Sequence, residues 1–163
     1  MDLTNPQAVA WRADMIAAET ATGYHQTYLD TVGSYYRDQH YTGRPCHNAV
    51  PVTDQEWRDG SIAVVRAVQV ATGKPVIING AGLGSAGGYL KHQADSDLLI
   101  AAADGVQIEQ FARNSSKLDR DVQYLRILAA KGKAAYAKCK STLATCEATF
   151  LQGAGADAYL ASP

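Results

Sequence analysis

The sequence predicts an α/β protein, a parallel sheet whose strands are joined by helices. Three observations predict it. Helical and strand patterns alternate through the chain: one helix, then five strand segments with a helix between each pair. The strand segments are short and apolar, and four of them close on a polar residue, at Asp30, Asn79, Glu109 and Lys138. The helical segments carry their own start and stop signals.

Taken in order, Asn5-Pro6 starts a first helix, because Asn caps and Pro suits the first helical position. It runs to about Thr20, with Val9, Ala13, Ile16 and Ala17 on its buried face. Gly23 ends the unit, and Tyr24 to Asp30 is the first strand, with His25 packed inside it. A long loop over 31–52 carries Tyr35, Tyr36, Arg37, His40, Tyr41, Arg44 and His47. Thr53-Asp54-Gln55-Glu56 is a capping box. Its helix buries Trp57, Val64, Val65 and Val68 and stops at Gly73. Lys74 to Asn79 is a buried strand, followed by a glycine-rich turn over Gly80 to Gly88 and a short helix to about Gln93. A second short helix spans Ser96 to Ala102. Asp104-Gly105 turns the chain into the strand ending at Glu109, where Val106 and Ile108 share a face. Ser116 with Asp119 caps the next helix, whose face is Leu118, Val122, Leu125 and Ala129. Gly132 breaks it. Strand 133–138, helix 142–152 and strand 156–161 complete the chain.

Composition narrows the functional classes. Hydrophobic residues make up 47% of 163, enough for one folded domain, read as residues 1–163 without a linker. A net charge of −1 and a pI near 6.4, with Lys and Arg scattered, give no footprint for nucleic acid or an anionic membrane. No apolar run reaches the ~18 residues of a membrane span. Of three cysteines, Cys46 stands alone. Cys139 and Cys146 either form a disulfide, as in a secreted protein, or remain two free thiols. Cys46-His47 lacks further ligands at zinc spacing, so no metal site is expected.

Two architectures suit the alternation: a doubly wound sheet, or part of a (β/α)8 barrel, which when complete takes about 250 residues. The chemistry separates them. Two strand ends that each offer a carboxylate, Asp30 and Glu109, are what glycoside hydrolysis needs, since one group protonates the leaving oxygen while the other attacks or activates water. Asn79 would sit on the same rim, hydrogen-bonding a sugar or orienting Glu109. Lys138 ends its strand likewise. Tyr35, Tyr36 and Tyr41 offer flat faces for sugar rings. Arg113 could pair with Glu109 or Asp119. The apolar strand before Glu109, with Phe111 after it, would favour its neutral acid form, and Asp30 would stay ionised beside Gly33 and Ser34. The rival is Gly82-Leu83-Gly84-Ser85-Ala86-Gly87, which matches G-x-G-x-x-G after a strand, with Asp104 downstream as a ribose contact in an NAD-type nucleotide site.

Three segments together resemble one family. Met1 to Pro6 with Trp11, then Tyr28-Leu29-Asp30, then Ala103 to Glu109 resemble the glycosyl hydrolases of TIM-barrel fold that are similar to endo-alpha-1,4-polygalactosaminidase. The strand Pro75 to Asn79 fits between the two carboxylates. The resemblance implies a partial (β/α)8 barrel acting on a poly- or oligosaccharide. It makes Asp30 and Glu109 the catalytic carboxylates, with Asp2 and Asn79 nearby on the rim; taken with the residue reading above, Asp2, Asn79, Tyr35, Arg113 and Lys138 are the expected substrate-binding residues, with no cofactor. The chain departs from the pattern at His25-Gln26-Thr27, where such families tend to have Asp-Gly-Val, and at Thr31, where a second acid often stands. The chain reads as cut at both ends, with Met1 an internal methionine and a secreted full-length protein. A non-catalytic carbohydrate-binding fragment is the remaining alternative.

Overall fold

The structure, a computed structural model, describes residues 2–21, 23–30, 32–36, 46–47 and 49–162. Arg37, His40, Tyr41, Arg44, Met1 and Thr31 lie outside the described residues.

Helix α1 (Pro6–Thr20) begins as its sequence dictates: the Asn5 side chain accepts from the Gln7 N–H, with Pro6 behind it. Strand β1 (Thr27–Asp30) starts three residues later than expected. The reason lies in its neighbour. Thr27 pairs with Val76, and the residue before that is Pro75, which has no N–H for a longer ladder. His25 is therefore exposed and outside the strand. Within the stretch read as loop, β2 (Cys46–His47) and β3 (Val50–Pro51) form a small antiparallel ribbon.

Helix α2 (Asp54–Thr72) closes both bonds of its capping box, Thr53 N–H to Glu56 Oε2 at 2.8 Å and Glu56 N–H to Thr53 Oγ1 at 3.2 Å. Gly73 ends it at φ 64°, the left-handed conformation glycine favours. Strand β4 (Val76–Asn79) leads through a 3-10 turn, Ala81–Gly84, to α3 (Ala86–Lys91) and α4 (Gln93–Ala102). Strand β5 (Gly105–Phe111) is followed by a 3-10 turn, Ser115–Lys117, and α5 (Leu118–Ala130). Strand β6 (Ala134–Cys139), α6 (Leu143–Gly153) and β7 (Ala158–Ala161) finish the order.

Two details of α5 differ from expectation. Ser116 does not cap it: α5 follows the 3-10 turn with no side-chain cap at Lys117, and it is that turn which Asn114 caps, its side chain accepting from the Ser116 N–H at 3.1 Å. The buried residues are Asp121, Tyr124, Leu125 and Leu128. Tyr124 stacks on Tyr89 with ring centres 4.3 Å apart, and Asp121 holds the Ala112 N–H at 3.1 Å. Those two contacts turn the helix by about one position from the face that its aliphatic residues alone would choose.

The sheet has five strands in the order β1-β4-β5-β6-β7, every neighbouring pair parallel. It is open, with β1 and β7 as its edges. Parallel strands in sequence order with right-handed crossovers place all connecting helices on one face. Burial agrees: Thr27, Leu29, Val76, Ile78, Val106, Ile108 and Ala137 face the helices and are almost wholly buried. The other face carries Tyr28, Asp30, Ile77, Asn79, Gln107, Glu109, Tyr136 and Lys138 by register. That face is concave. The Tyr136 hydroxyl on β6 donates to Oε1 of Gln26, just before β1, at 2.9 Å. Three strand spacings separate β1 from β6, about 14 Å in a flat sheet, so the sheet must curl to bring these side chains together.

Candidate active site

The C-terminal ends of β1, β4 and β5 bring three polar side chains into one group. The Asn79 amide donates to Asp30 Oδ1 at 3.0 Å and to Glu109 Oε2 at 3.4 Å. The register explains Asp30 and Asn79, which are direct partners across the β1–β4 ladder. Glu109 arrives by a different route. Between Ile108 and Phe111 the β5–β6 register slips, so β5 carries one extra residue there. This bulge lets Ile108 and Phe111 both face the helices while Glu109 and Gln110 bow outward. Glu109 is thus not the last residue of its strand. Val106, Ile108 and Phe111, expected to surround its carboxyl, lie on the opposite face of the sheet, packed against the helices.

The glycine turn is packed onto these strand ends. A Cβ at Gly80 would lie 1.3 Å from the Val32 carbonyl oxygen. At Gly84, which has φ +68°, a Cβ would stand 2.8 Å from Asn79 Oδ1 and 3.1 Å from the Glu109 Cβ. The turn therefore presses on the Asn79–Glu109 pair, and glycine is what lets it. On the far side of Glu109, Ala112 is buried with φ 56°, a strained setting for alanine. Its N–H is held by Asp121, whose own carboxyl is pushed up to about 6, chiefly by burial and also by Asp119, against the opposing hydrogen bond from Ala112.

Tyr28 joins the group although sequence reasoning assigned it no role. Its hydroxyl is pushed up to about 12, by burial first and then by the charge of Asp30, with Asn79 acting against the shift and Glu109 adding to it. It stays a neutral phenol at ordinary pH. The signal was present in the period of two: residues 28 and 30 of one strand share a face.

Two hollows flank the group. A groove of about 1010 Å³ runs along the free edge of β1, lined by Trp11, Tyr24, Tyr28, Asp30 and Trp57 among others. A smaller one of about 470 Å³ lies beyond β5, with Glu109, Tyr35, Arg113, Lys117 and Arg120 among its walls. The Tyr35 ring sits 4.1 Å from that of His92, tilted by 34°. Arg113 shares the hollow with Glu109, but its guanidinium donates to Gln110 Oε1 at 2.9 Å and pairs with neither Glu109 nor Asp119. Lys138 is exposed on the concave face, one position before the end of β6. Asp2 is not drawn into the group; its Oδ1 accepts from the N–H and hydroxyl of Thr4 at 2.9 and 2.7 Å.

The geometry does not assemble the pair that a dinucleotide site needs. Asp104 precedes β5, at the opposite end of the sheet from Gly82, and its Oδ2 accepts from the Val76 N–H and from Gln69, both at 2.8 Å. Its work is to tie β4 and β5 together at their starts. The helix after the glycines has six residues, and the strand order does not reverse at β4.

Cys139 and Cys146 form a disulfide that ties the end of β6 to α6. Among the described residues no group of His, Cys, Asp and Glu is placed to hold a metal ion, and no helix is long and apolar enough to cross a membrane. Compared with known protein families, curated proteins and solved structures, the chain matches none of them.

Proposed function

We propose that the chain is a glycoside hydrolase unit, acting on a poly- or oligosaccharide across the concave face. The observation that carries the reading is the Asn79 amide shared between Asp30 and Glu109. Two carboxylates that bond one nitrogen have their nearest oxygens no farther apart than the sum of the two bond lengths. That keeps both carboxylates within reach of one glycosidic bond, and the nucleophilic, retaining arrangement is the one proposed here. Asp30 takes the shorter bond from Asn79 and is the better oriented for attack. Glu109 has the longer side chain, lifted by the bulge, and is the group to protonate the leaving oxygen. Tyr28, a neutral phenol beside Asp30 on the same face of β1, has a hydroxyl that can donate to a sugar oxygen.

The curled parallel sheet with helices on its outer face has the layout of a segment of a (β/α)8 barrel, and the proposed chemistry lies where barrel enzymes place it, at the C-terminal strand ends. The disulfide suits a secreted setting.

The test pairs two variants with two substrate classes. Glu109→Gln is expected to spare aryl glycosides with good leaving groups, which need little protonation, and to lose turnover on plain oligosaccharides. Asp30→Asn is expected to lose turnover on both. Following the anomer released by NMR is expected to show retention. Equal loss on both classes in Glu109→Gln, or inverted product, rejects the assignment of roles.

A further inference from the structure

The hollow beyond β5 has a property that the hydrolase reading does not require. Three cationic side chains line it, Arg113, Lys117 and Arg120, against the carboxylates of Glu109 and Asp121. Asp121 is buried and already holds the Ala112 N–H. No ion pair joins any of the three cations to a carboxylate among the described residues. Arg113 is braced by Gln110 at 2.9 Å, which fixes its guanidinium and leaves other N–H groups to donate. Arg120 reaches from α5 over the glycine turn, its Nη1 lying 3.8 Å from where a Cβ of Gly87 would stand. A side chain at Gly87 would narrow this approach.

Cations come here from two elements, the segment after β5 and the first turn of α5, and they meet at the wall that also holds Glu109. Such a cluster in a concave site raises the local concentration of anions. Guanidinium groups match the two oxygens of a carboxylate in a planar fork. Tyr35 on the same wall offers a ring face to a pyranose.

We propose that this hollow is a subsite for an acidic sugar, so that the glycan cleaved between Asp30 and Glu109 carries a carboxylate on the unit seated beside Glu109. The proposal rests on the hydrolase reading for the location of the scissile bond, but the binding it asserts does not depend on turnover. A cationic amino-sugar in the same hollow would face three like charges and be rejected.

The experiment is calorimetry on the Glu109→Gln protein, which is expected to bind without cleaving. Four probes are used: trigalacturonate, a neutral galactose trisaccharide, a sulfated galactose trisaccharide and a glucosamine trisaccharide. Trigalacturonate is expected to bind tightest, with affinity falling as salt is added. Arg120→Ala and Arg113→Ala, both at exposed positions, are expected each to weaken it by about tenfold or more while leaving the neutral sugar unaffected. Glucosamine binding as tight as trigalacturonate, or no change in either variant, overturns the proposal. So does a sulfated galactose trisaccharide that binds where trigalacturonate does not. Wild-type protein that cleaves neutral glycans and ignores trigalacturonate sinks the acidic subsite and leaves the hydrolase reading. Arginine-dependent binding of trigalacturonate with no cleavage of any glycan does the reverse.

Discussion

Asp121 offers the most quantitative check on the architecture around Glu109. Its carboxyl is buried beneath the strained Ala112 and lies at about 6 instead of 3.8. A folded-state value above the unfolded one means that the folded chain binds this proton more tightly. The resulting stabilisation is fully present below about pH 3.8 and is lost as pH rises through about 6. At about pH 8 the folded state thus carries a buried charge. At 1.36 kcal/mol per unit the shift would be worth about 3 kcal/mol, and partial solvent access reduces that to about 1–2 kcal/mol. Asp121→Asn keeps an oxygen to accept the Ala112 N–H and removes the charge. The variant is expected to be more stable than wild type at about pH 8 by about 1–2 kcal/mol, with the gap closing between about pH 6 and 4. Urea unfolding at a series of pH values measures both curves. A variant that is less stable at about pH 8, or that keeps the wild-type pH dependence, refutes the reasoning.

Asn79→Ala removes the donor shared by the two carboxylates and is expected to lower turnover about ten- to hundredfold with little change in melting temperature; unchanged turnover would show that Asn79 is only a strand end. Gly84→Ala places a Cβ 2.8 Å from Asn79 Oδ1 at a left-handed φ, and should lose about 1–2 kcal/mol of stability together with activity, read by thermal melting and by assay. Tyr124→Phe deletes a buried hydroxyl that finds no partner among the described residues, so the melting temperature should hold or rise; a clear fall would reveal a partner. Cys146→Ser opens the short loop closed with Cys139 and is expected to cost about 2 kcal/mol in urea unfolding while leaving ligand binding at the strand ends intact.

Much of the framework was legible because local signals decide it. Asn5-Pro6, Thr53 with Glu56, and Gly73 each act within a few residues of the helix end they define. The polar residues Asp30 and Asn79 were recognisable as strand ends because short apolar runs bound them. What escaped depends on partners distant in the chain. The start of β1 is set by Pro75, and the face of α5 by Tyr89 and Ala112. The bulge that lifts Glu109 is a mismatch between β5 and β6, which no single segment encodes. The three cations beyond β5 looked like scattered surface charge, since Arg113 and Arg120 converge only when α5 folds back beside the strand. The state of Cys139 and Cys146 depended on the turn between β6 and α6 and could not be chosen from a spacing of seven.

Asn79 is followed by Gly80, and that adjacency has a chemical consequence. Asparagine before glycine is readily lost to deamidation, because the next backbone nitrogen can attack the side-chain amide when no Cβ hinders it. Ammonia leaves, and hydrolysis of the ring gives an acid at position 79. Here the glycine is buried against the Val32 carbonyl, which restricts the swing that attack demands. Ageing of this bond therefore runs mainly while the chain is open, during synthesis, heating or refolding. A molecule that has aged would carry a third carboxylate beside Asp30 and Glu109 with no amide to hold them and, in the isoaspartate that ring opening mainly gives, an extra methylene in the backbone at the end of β4, an inactive species distinguishable from fresh protein by its charge.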